Sequence, residues 1–266
     1  MKNWTTPFMR SATPPLASHR VPGIRIAYGD DPNQFGELRL PAVRPEANPA
    51  PHPVVIFIHG GYWRAAYDLA HTRHLCVALG AAGFATWNIE YRRLGQPGGG
   101  YPGTMDDVRS AAQHLKTLGD LYTLDLTRVV AAGHSAGGQL ALWLAAQCVI
   151  GLRGVVGLAA VSDLRRAFSL GLSNGAAGEL LGGGPPEFPD RYAAASPAEL
   201  LPISVPQRLL HGTADDAVPF ELSERFAQLS KNCQLVPLPG AGHFELIDPR
   251  SKESETVRNS ITRWKR

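Results

Sequence analysis

Short runs of β-branched and other apolar residues alternate along this chain with longer stretches of helical periodicity. Such alternation is typical of a mostly parallel sheet that is covered by helices on both faces. The run Val54–Ile58 contains no polar residue and is therefore expected to be a central strand, buried on both sides. The pattern predicts an α/β protein.

Eight strands and five helices are predicted outside one irregular region. The strands are expected at residues 24–28, 37–40, 54–58, 84–91, 129–132, 154–161, 207–210 and 233–237, the first two as an antiparallel pair. The helices are expected at residues 69–82, 104–118, 136–148, 220–230 and 251–264. In the first turn of the second helix, the carboxylates of Asp106 and Asp107 are expected to interact favourably with the helix dipole.

The alternation fails between Leu164 and Leu201, where residues 182–186 read Gly-Gly-Gly-Pro-Pro. We expect residues 164–201 to form a short cap-like excursion over the top of the sheet. Residues 1–22 are predicted as an N-terminal extension, and residues 23–266 as a single domain. The five prolines from Pro41 to Pro53 indicate a surface connection.

Composition and charge narrow the classes of partner. With 26 Lys and Arg against 23 Asp and Glu, the net charge is only +3 and the basic residues are scattered, which argues against nucleic acid. Cys76, Cys148 and Cys233 lie far apart and match no metal-ligand spacing, so we expect reduced core thiols and no metal or other cofactor. The apolar runs are too short to cross a bilayer and the N-terminus lacks a signal-peptide pattern, which favours a cytoplasmic protein without a membrane partner. The sequence does not determine the oligomeric state and is compatible with a homodimer.

The strongest local signal is Gly133-His134-Ser135-Ala136-Gly137, a G-x-S-x-G pattern between a predicted strand and a predicted helix. On such a turn a serine is held in a strained conformation that lifts its hydroxyl above the sheet edge, and the glycines avoid clashes. The alternative is a glycine-rich turn with a helix-capping serine. The flanking strand and small-residue helix favour Ser135 as a nucleophile.

A serine hydroxyl needs a base, and the base needs a group that orients it. His243 directly follows the last predicted strand and is the expected base. Asp215 and Asp216 both follow the preceding strand; we prefer Asp215, at the strand exit, and expect Asp216 to be a solvated turn residue. The chain order Ser135, Asp215, His243 is the order used by hydrolases with a nucleophile elbow.

The segment His59-Gly60-Gly61-Tyr62-Trp63 follows the central strand, so its backbone N–H groups are expected in the same crevice as Ser135. We expect an oxyanion hole made by the amides of Gly61 and Ala136, with Tyr62 joining them. The alternative is a tight turn that merely requires glycine.

Substrate-binding residues are expected at the same edge of the sheet. The candidates are Tyr62, Trp63, Tyr101 and His134. The sequence leaves open whether Tyr62 and Trp63 contact the substrate or pack beneath the loop. Four arginines, at positions 92, 93, 165 and 166, either bind a substrate carboxylate or are solvated.

The other histidines are expected to be structural. Those at positions 59, 134 and 211 follow strands and are expected to be hydrogen-bonded. Those at positions 71, 74 and 114 are predicted to lie in helices away from any strand end.

With these motifs the chain resembles the serine hydrolases of the α/β-hydrolase fold, from about Gly23 to the C-terminus. The resemblance implies a mostly parallel eight-stranded sheet flanked by helices. The two motifs are similar to those of the branch that holds arylformamidases (kynurenine formamidases) and small carboxylesterases. Hormone-sensitive-lipase-like esterases resemble the chain less, because Tyr62 replaces their third glycine and His134 replaces the acidic residue often found before their serine.

The expected function is hydrolysis of short carboxylic esters or an activated amide, both small molecules, through an acyl-enzyme on Ser135. A narrower alternative is an arylformamidase that acts on N-formylkynurenine-like substrates. An alternative from another class is a non-catalytic ligand-binding protein of the same fold. That alternative usually requires a damaged triad, whereas each expected residue type is present here.

Overall fold

The structure, a computed structural model, describes residues 23–41 and 51–264. Its strands are β1 Ile24–Ala27, β2 Phe35–Arg39, β3 His52–Ile58, β4 Ala85–Ile89, β5 Leu124–His134, β6 Gly154–Leu158, β7 Gln207–Gly212 and β8 Cys233–Leu238. Within the described residues they form one sheet in the order β1-β2-β4-β3-β5-β6-β7-β8. The β1–β2 and β2–β4 pairs are antiparallel, and the remaining pairs are parallel. The predicted α/β fold, its antiparallel opening pair and its central strand are therefore confirmed.

The described helices are α1 Arg73–Ala81, α2 Gly103–Tyr122, α3 Ala136–Gln147, α4 Leu164–Ser169, α5 Leu172–Leu181, α6 Pro189–Ala195, α7 Glu221–Leu229 and α8 Ser254–Thr262. The segment predicted as a helix from residue 69 begins with a 3₁₀ turn, Leu69–Thr72, which the side chain of Asp68 caps. The residues of the excursion are more regular than expected, since 164–201 hold α4, α5, α6 and a second 3₁₀ turn, Pro197–Glu199. No helix in the described part of the chain is long and apolar enough to span a membrane.

The strand β3 shows how the sequence produces a core on each face of the sheet. Val54, Ile56 and Ile58 pack in a cluster that includes residues of α2 and α3. Val55 and Phe57, which point to the opposite face, pack in a second cluster that includes residues of α1 and α8. All five side chains are fully buried, which explains why this strand carries no polar alternation.

The expectation that Asp107 interacts with the helix dipole in the first turn of α2 is wrong. Its carboxylate is buried and accepts hydrogen bonds from the Arg92 guanidinium at 2.7 and 2.9 Å and from the Gln34 amide at 2.7 Å. The two adjacent aspartates at the start of α2 did not reveal that the carboxylate of Asp107 joins this helix to Arg92, which follows β4. Asp106 remains partly exposed in the first turn, beside Arg109.

Two predictions concern residues at the edges of what is described. The N-terminal extension 1–22 and residues 42–50 of the predicted connection lie outside the described residues.

All three cysteines are described and unpaired: Cys76 is buried, Cys233 is half-buried and Cys148 is exposed. The prediction of core thiols is therefore wrong for Cys148, which lies just beyond the end of α3.

Candidate active site

Ser135 lies on the sharp turn between β5 and α3. Its backbone has φ 58° and ψ −122°, a conformation that non-glycine residues rarely adopt and that costs roughly 1–3 kcal/mol. The turn is held by its neighbours, since the Ser135 amide donates to the carbonyl of Leu158 in β6 at 2.7 Å. This is the strained turn that a nucleophile elbow requires.

The glycines of the motif are required by close backbone contacts. A Cβ atom at Gly133 would lie 2.1 Å from the carbonyl oxygen of Gly137. A Cβ atom at Gly137 would lie 2.1 Å from the carbonyl oxygen of Ile58, at the end of β3. Side chains at these positions would therefore separate the start of α3 from the strands that position Ser135.

Asp215 and His243 meet above the ends of β7 and β8. Nδ1 of His243 donates to Oδ2 of Asp215 at 2.7 Å, and the aspartate side chain is fully buried. The amides of Ala217 and Val218 donate to Oδ1 at 2.9 and 2.8 Å. Asp216 is exposed, as expected of a turn residue, so Asp215 is the aspartate that contacts the histidine.

The surroundings of Asp215 keep its carboxylate ionised. Burial by itself would raise the pKa, but hydrogen bonds from His211 and His243 hold the pKa of Asp215 well below its usual range. Nε2 of His211 lies 3.3 Å from Oδ2 and donates to the carbonyl of Val218 at 2.9 Å. The hydrogen-bonded role expected for His211 thus includes a second contact with the acid, which no local sequence pattern indicated.

The loop of His243 contacts the elbow through His134. Nε2 of His134 donates to the backbone carbonyl of His243 at 3.0 Å, and the two ring centroids are 4.5 Å apart. Because Nδ1 of His243 is bound to Asp215, Nε2 is the ring nitrogen that this hydrogen bond leaves available. His134 itself is buried, so its surroundings fit a role in holding His243 better than the substrate contact expected from the sequence.

A further histidine, His71, lies close to His134. Its ring centroid is 6.3 Å from that of His134 and 5.8 Å from that of His59. Burial, reinforced by the neighbouring His59, lowers the pKa of His71 to about 4. Burial, together with His243 and His71, also lowers the pKa of His134 well below its ordinary value. The expectation that His71 lies away from any strand end is wrong, because the 3₁₀ turn Leu69–Thr72 brings it to the ends of β3 and β5.

The turn after β3 passes directly beside Ser135. A Cβ atom at Gly60 would lie 2.7 Å from the carbonyl oxygen of His134 and 2.9 Å from Cβ of Ser135. Gly61 follows with φ 102°, a conformation that favours glycine. On the other side of Ser135, Ala136 is the first residue of α3, where amides have no acceptor within the helix. The expected oxyanion donors, the amides of Gly61 and Ala136, therefore belong to the two segments that flank the nucleophile.

His59, at the start of this turn, is fixed by a buried carboxylate. Its Nε2 lies 2.8 Å from Oε1 of Glu90, and its Nδ1 lies 2.8 Å from the carbonyl oxygen of Gly60. Tyr91 stacks on the imidazole at 4.4 Å and donates its hydroxyl to the carbonyl of His59 at 2.9 Å. These contacts agree with the hydrogen-bonded structural role expected for His59.

The three aromatic candidates for substrate binding have different surroundings. Trp63 is fully buried and donates its indole N–H to Gln139 of α3 at 3.0 Å, as expected of a packing residue. Tyr62 is half-buried, and its hydroxyl donates to the carbonyl of Ala217 at 2.6 Å. Tyr101 is half-buried and its amide donates to Leu180 of α5, so it contacts the excursion. Only Tyr62 of the three is joined to the loop of Asp215.

The four arginines considered for a substrate carboxylate are paired with carboxylates of the chain itself. The pairs are Arg92–Asp107, Arg93–Glu90, Arg165–Glu199 and Arg166–Glu221. Among the described residues, no group of three His, Cys, Asp or Glu side chains is arranged to hold a metal ion.

The sequence of this chain is similar to one protein family and to several individual proteins. A family model described as BD-FAE matches residues 40–229, more than half of the chain. The chain is 27% identical to Esterase LipC of Mycobacterium tuberculosis over 92% of its own length. It is 29% identical to the probable isoprenylcysteine alpha-carbonyl methylesterase ICME of Oryza sativa subsp. japonica over 84% of its length. The alignments cover 66% and 58% of these relatives, so the chain spans less than two thirds of their length.

The fold is also similar to those of solved structures. The propionate-bound esterase Est2 of Thermogutta terrifontis has a TM-score of 0.72 at 23% identity, over 91% of this chain and 93% of that chain. These relatives bear out the α/β-hydrolase resemblance, and they leave its narrower arylformamidase part untested. The match over residues 40–229 shows that the chain belongs to the BD-FAE family, a family of esterases with the α/β-hydrolase fold.

Proposed function

We propose that this chain is a serine hydrolase that cleaves short carboxylic esters, or an activated amide, through an acyl-enzyme on Ser135. The observation that carries the proposal is the 2.7 Å hydrogen bond between His243 and Asp215, together with the bond from His134, the residue before the strained Ser135, to the carbonyl of His243. These three residues supply a nucleophile, a base and a carboxylate that orients the base. The esterase relatives support the same chemistry.

In the acylation step, Nε2 of His243 removes the hydroxyl proton of Ser135 as the serine oxygen attacks the substrate carbonyl. Asp215 accepts from Nδ1 and stabilises the imidazolium that forms. The amides of Gly61 and Ala136 donate to the carbonyl oxygen as it becomes negative. The imidazolium then protonates the leaving alcohol or amine, which leaves the acyl group on Ser135.

In the deacylation step, His243 removes a proton from water, and the resulting hydroxide attacks the acyl-enzyme carbonyl. The tetrahedral intermediate collapses with release of the carboxylic acid, and the proton held by His243 returns to Ser135. The same two oxyanion donors serve both steps, because the negative charge develops on the same oxygen.

A small acyl group is supported by the burial of the reacting residues. Ser135 is 2% exposed and His243 is 5% exposed, so little of the nucleophile or the base is open to solvent. Est2, whose fold this chain shares, has structures with propionate and with butyrate bound. We therefore propose acetate- to butyrate-sized acyl groups as the preferred class.

Formamide hydrolysis is a narrower form of this proposal. Its acyl group is formyl, the smallest available, and its leaving group is an aniline, so the same residues would perform it. The motifs His59–Trp63 and Gly133–Gly137 favour this alternative by their resemblance to arylformamidases. The ratio of kcat/KM for a formylated aniline to that for nitrophenyl acetate would distinguish the two substrates.

The test is covalent labelling combined with kinetics. We expect a fluorophosphonate probe to label Ser135, located by mass spectrometry, and the wild-type chain to hydrolyse nitrophenyl acetate. Ser135→Ala should lower kcat on the order of 10⁴-fold or more and keep the wild-type melting temperature. Ser169→Ala, at an exposed serine in α4, is the control and should remain fully active. A wild-type chain that resists the probe and hydrolyses no ester would instead support the non-catalytic ligand-binding alternative.

A further inference from the structure

Tyr62 occupies a strained position between two parts of the candidate active site. Its φ is 49°, and its neighbours Gly61 and Trp63 also have positive φ, of 102° and 58°. A left-handed conformation at non-glycine residues is unfavourable and persists only where surrounding contacts over-determine it. Backbone hydrogen bonds from Arg64 to Gly61 and from Leu94 to Trp63 hold part of this turn, and the side chains of Tyr62 and Trp63 add further contacts.

Those contacts lead to two different elements. Trp63 is anchored to α3 by the hydrogen bond from its indole N–H to Gln139. The hydroxyl of Tyr62 donates to the carbonyl of Ala217 at 2.6 Å, across a sequence separation of 155 residues. This second bond joins the turn after β3, which carries the expected oxyanion donor, to the loop after β7, which carries Asp215.

Ala217 is part of the backbone that surrounds the Asp215 carboxylate. Its own amide donates to Oδ1 at 2.9 Å, next to the amide of Val218 at 2.8 Å. The other carboxylate oxygen accepts from His243 at 2.7 Å. A displacement of Ala217 would therefore change the position of Asp215 relative to His243.

We propose that Tyr62 is a positioning residue, whose hydroxyl holds the Asp215 loop and thereby couples the oxyanion turn to the acid–base pair. The inference rests on the proposed serine-hydrolase function. It gives the hydroxyl a role that is separate from the substrate contact considered for the aromatic ring. Because the oxyanion donors and the His243–Asp215 pair both act as charge develops, the hydroxyl supports the transition state more than substrate binding.

The test is a double-mutant cycle of Tyr62→Phe and Asp215→Asn. Phenylalanine keeps the ring and removes only the hydroxyl. We expect Tyr62→Phe to lower kcat by about 5- to 10-fold with KM unchanged within about twofold. The ranking of acetate, butyrate and octanoate esters should stay the same. In the Asp215→Asn background, Tyr62→Phe should change kcat by less than about twofold, because the hydroxyl acts through Asp215.

Tyr28→Phe is the matched control. The hydroxyl of Tyr28 also donates to a backbone carbonyl at 2.6 Å, that of Glu90, and its removal should leave the kinetics at the wild-type level. Active sites are counted by fluorophosphonate labelling, so that kcat refers to folded protein even if Tyr62→Phe lowers the melting temperature.

Two outcomes would overturn this role of Tyr62: a wild-type kcat in Tyr62→Phe, whether or not the substrate ranking changes, or losses that add in the double variant. Each of them leaves the serine-hydrolase function intact, because the wild-type chain would still be labelled and active. A wild-type chain that is neither labelled nor active would overturn the proposed function itself, and the role of Tyr62 with it.

Discussion

Asp215 and Asp216 are adjacent in the sequence and have opposite surroundings. The side chain of Asp215 is fully buried and accepts hydrogen bonds from His243 and from two backbone amides. Asp216 is exposed. A substitution of Asp215 removes both a charge and the contact with His243, whereas a substitution of Asp216 removes only a charge in the same loop. Comparing the two therefore isolates the effect of the contact.

We expect Asp215→Asn to lower kcat/KM about 10⁴-fold, because an amide neither stabilises the imidazolium nor holds the required tautomer. Asp216→Asn removes the same charge one residue away and should stay within about twofold of the wild type. The measurement is kcat/KM for nitrophenyl acetate in both variants. A large loss in Asp216→Asn with an active Asp215→Asn would contradict the assignment of the acid.

Among the elements, the turn after β3 contains a side chain that is fully buried in the core. Trp63 fills the core next to α3 and has a left-handed backbone. We expect Trp63→Ala to lower the free energy of unfolding by roughly 3–5 kcal/mol, because it leaves a cavity and removes the donor to Oε1 of Gln139. Melting temperature and kcat/KM for acetate, butyrate and octanoate esters are the measurements.

Trp63→Phe is the companion variant, since it keeps most of the buried volume and loses the hydrogen bond to Gln139 together with part of the indole ring. It should be less destabilised than Trp63→Ala. The ranking of the three esters should be the same in both variants and in the wild type. A changed ranking at wild-type stability would place Trp63 in the substrate pocket, contrary to this expectation.

The strands and the catalytic candidates could be predicted because their signals are local. A central strand such as Val54–Ile58 needs apolar residues on both faces, and the elbow of Ser135 needs glycines at fixed spacing. The bond from Tyr62 to Ala217 has no such signal, because tertiary packing alone joins residues 155 positions apart. The position of His71 near His134 also has no local signal, because it depends on the 3₁₀ turn Leu69–Thr72 that contains His71.

For the molecule as a whole, histidines whose pKa is lowered in the folded state should make stability depend on pH. Burial lowers the pKa of His71 to about 4 and that of His134 well below its ordinary value. In the unfolded chain both would take up a proton near pH 6.5. The unfolded state therefore binds more protons than the folded state below about pH 6.5. The free energy of unfolding should fall by about 1.4 kcal/mol per pH unit for each such histidine, down towards pH 4 for His71.

Substitution His71→Gln tests this dependence, because glutamine does not titrate. Urea unfolding at several pH values between about 7.5 and 4.5 should give a shallower decrease in the variant, by about one proton's contribution. The difference between variant and wild type at the highest pH measures the structural effect of the substitution alone and serves as the reference. Parallel curves over the whole range would mean that His71 does not contribute.

The position of Cys148 offers a site for attaching a spectroscopic reporter. Burial raises the pKa of the Cys76 and Cys233 thiols to about 12, whereas Cys148 is exposed at the end of α3. A helix of 12 residues rises about 18 Å, so this thiol lies at the opposite end of α3 from Ser135. A maleimide dye on Cys148 and a second dye carried by a fluorophosphonate on Ser135 would form an energy-transfer pair across one helix, without any engineered cysteine.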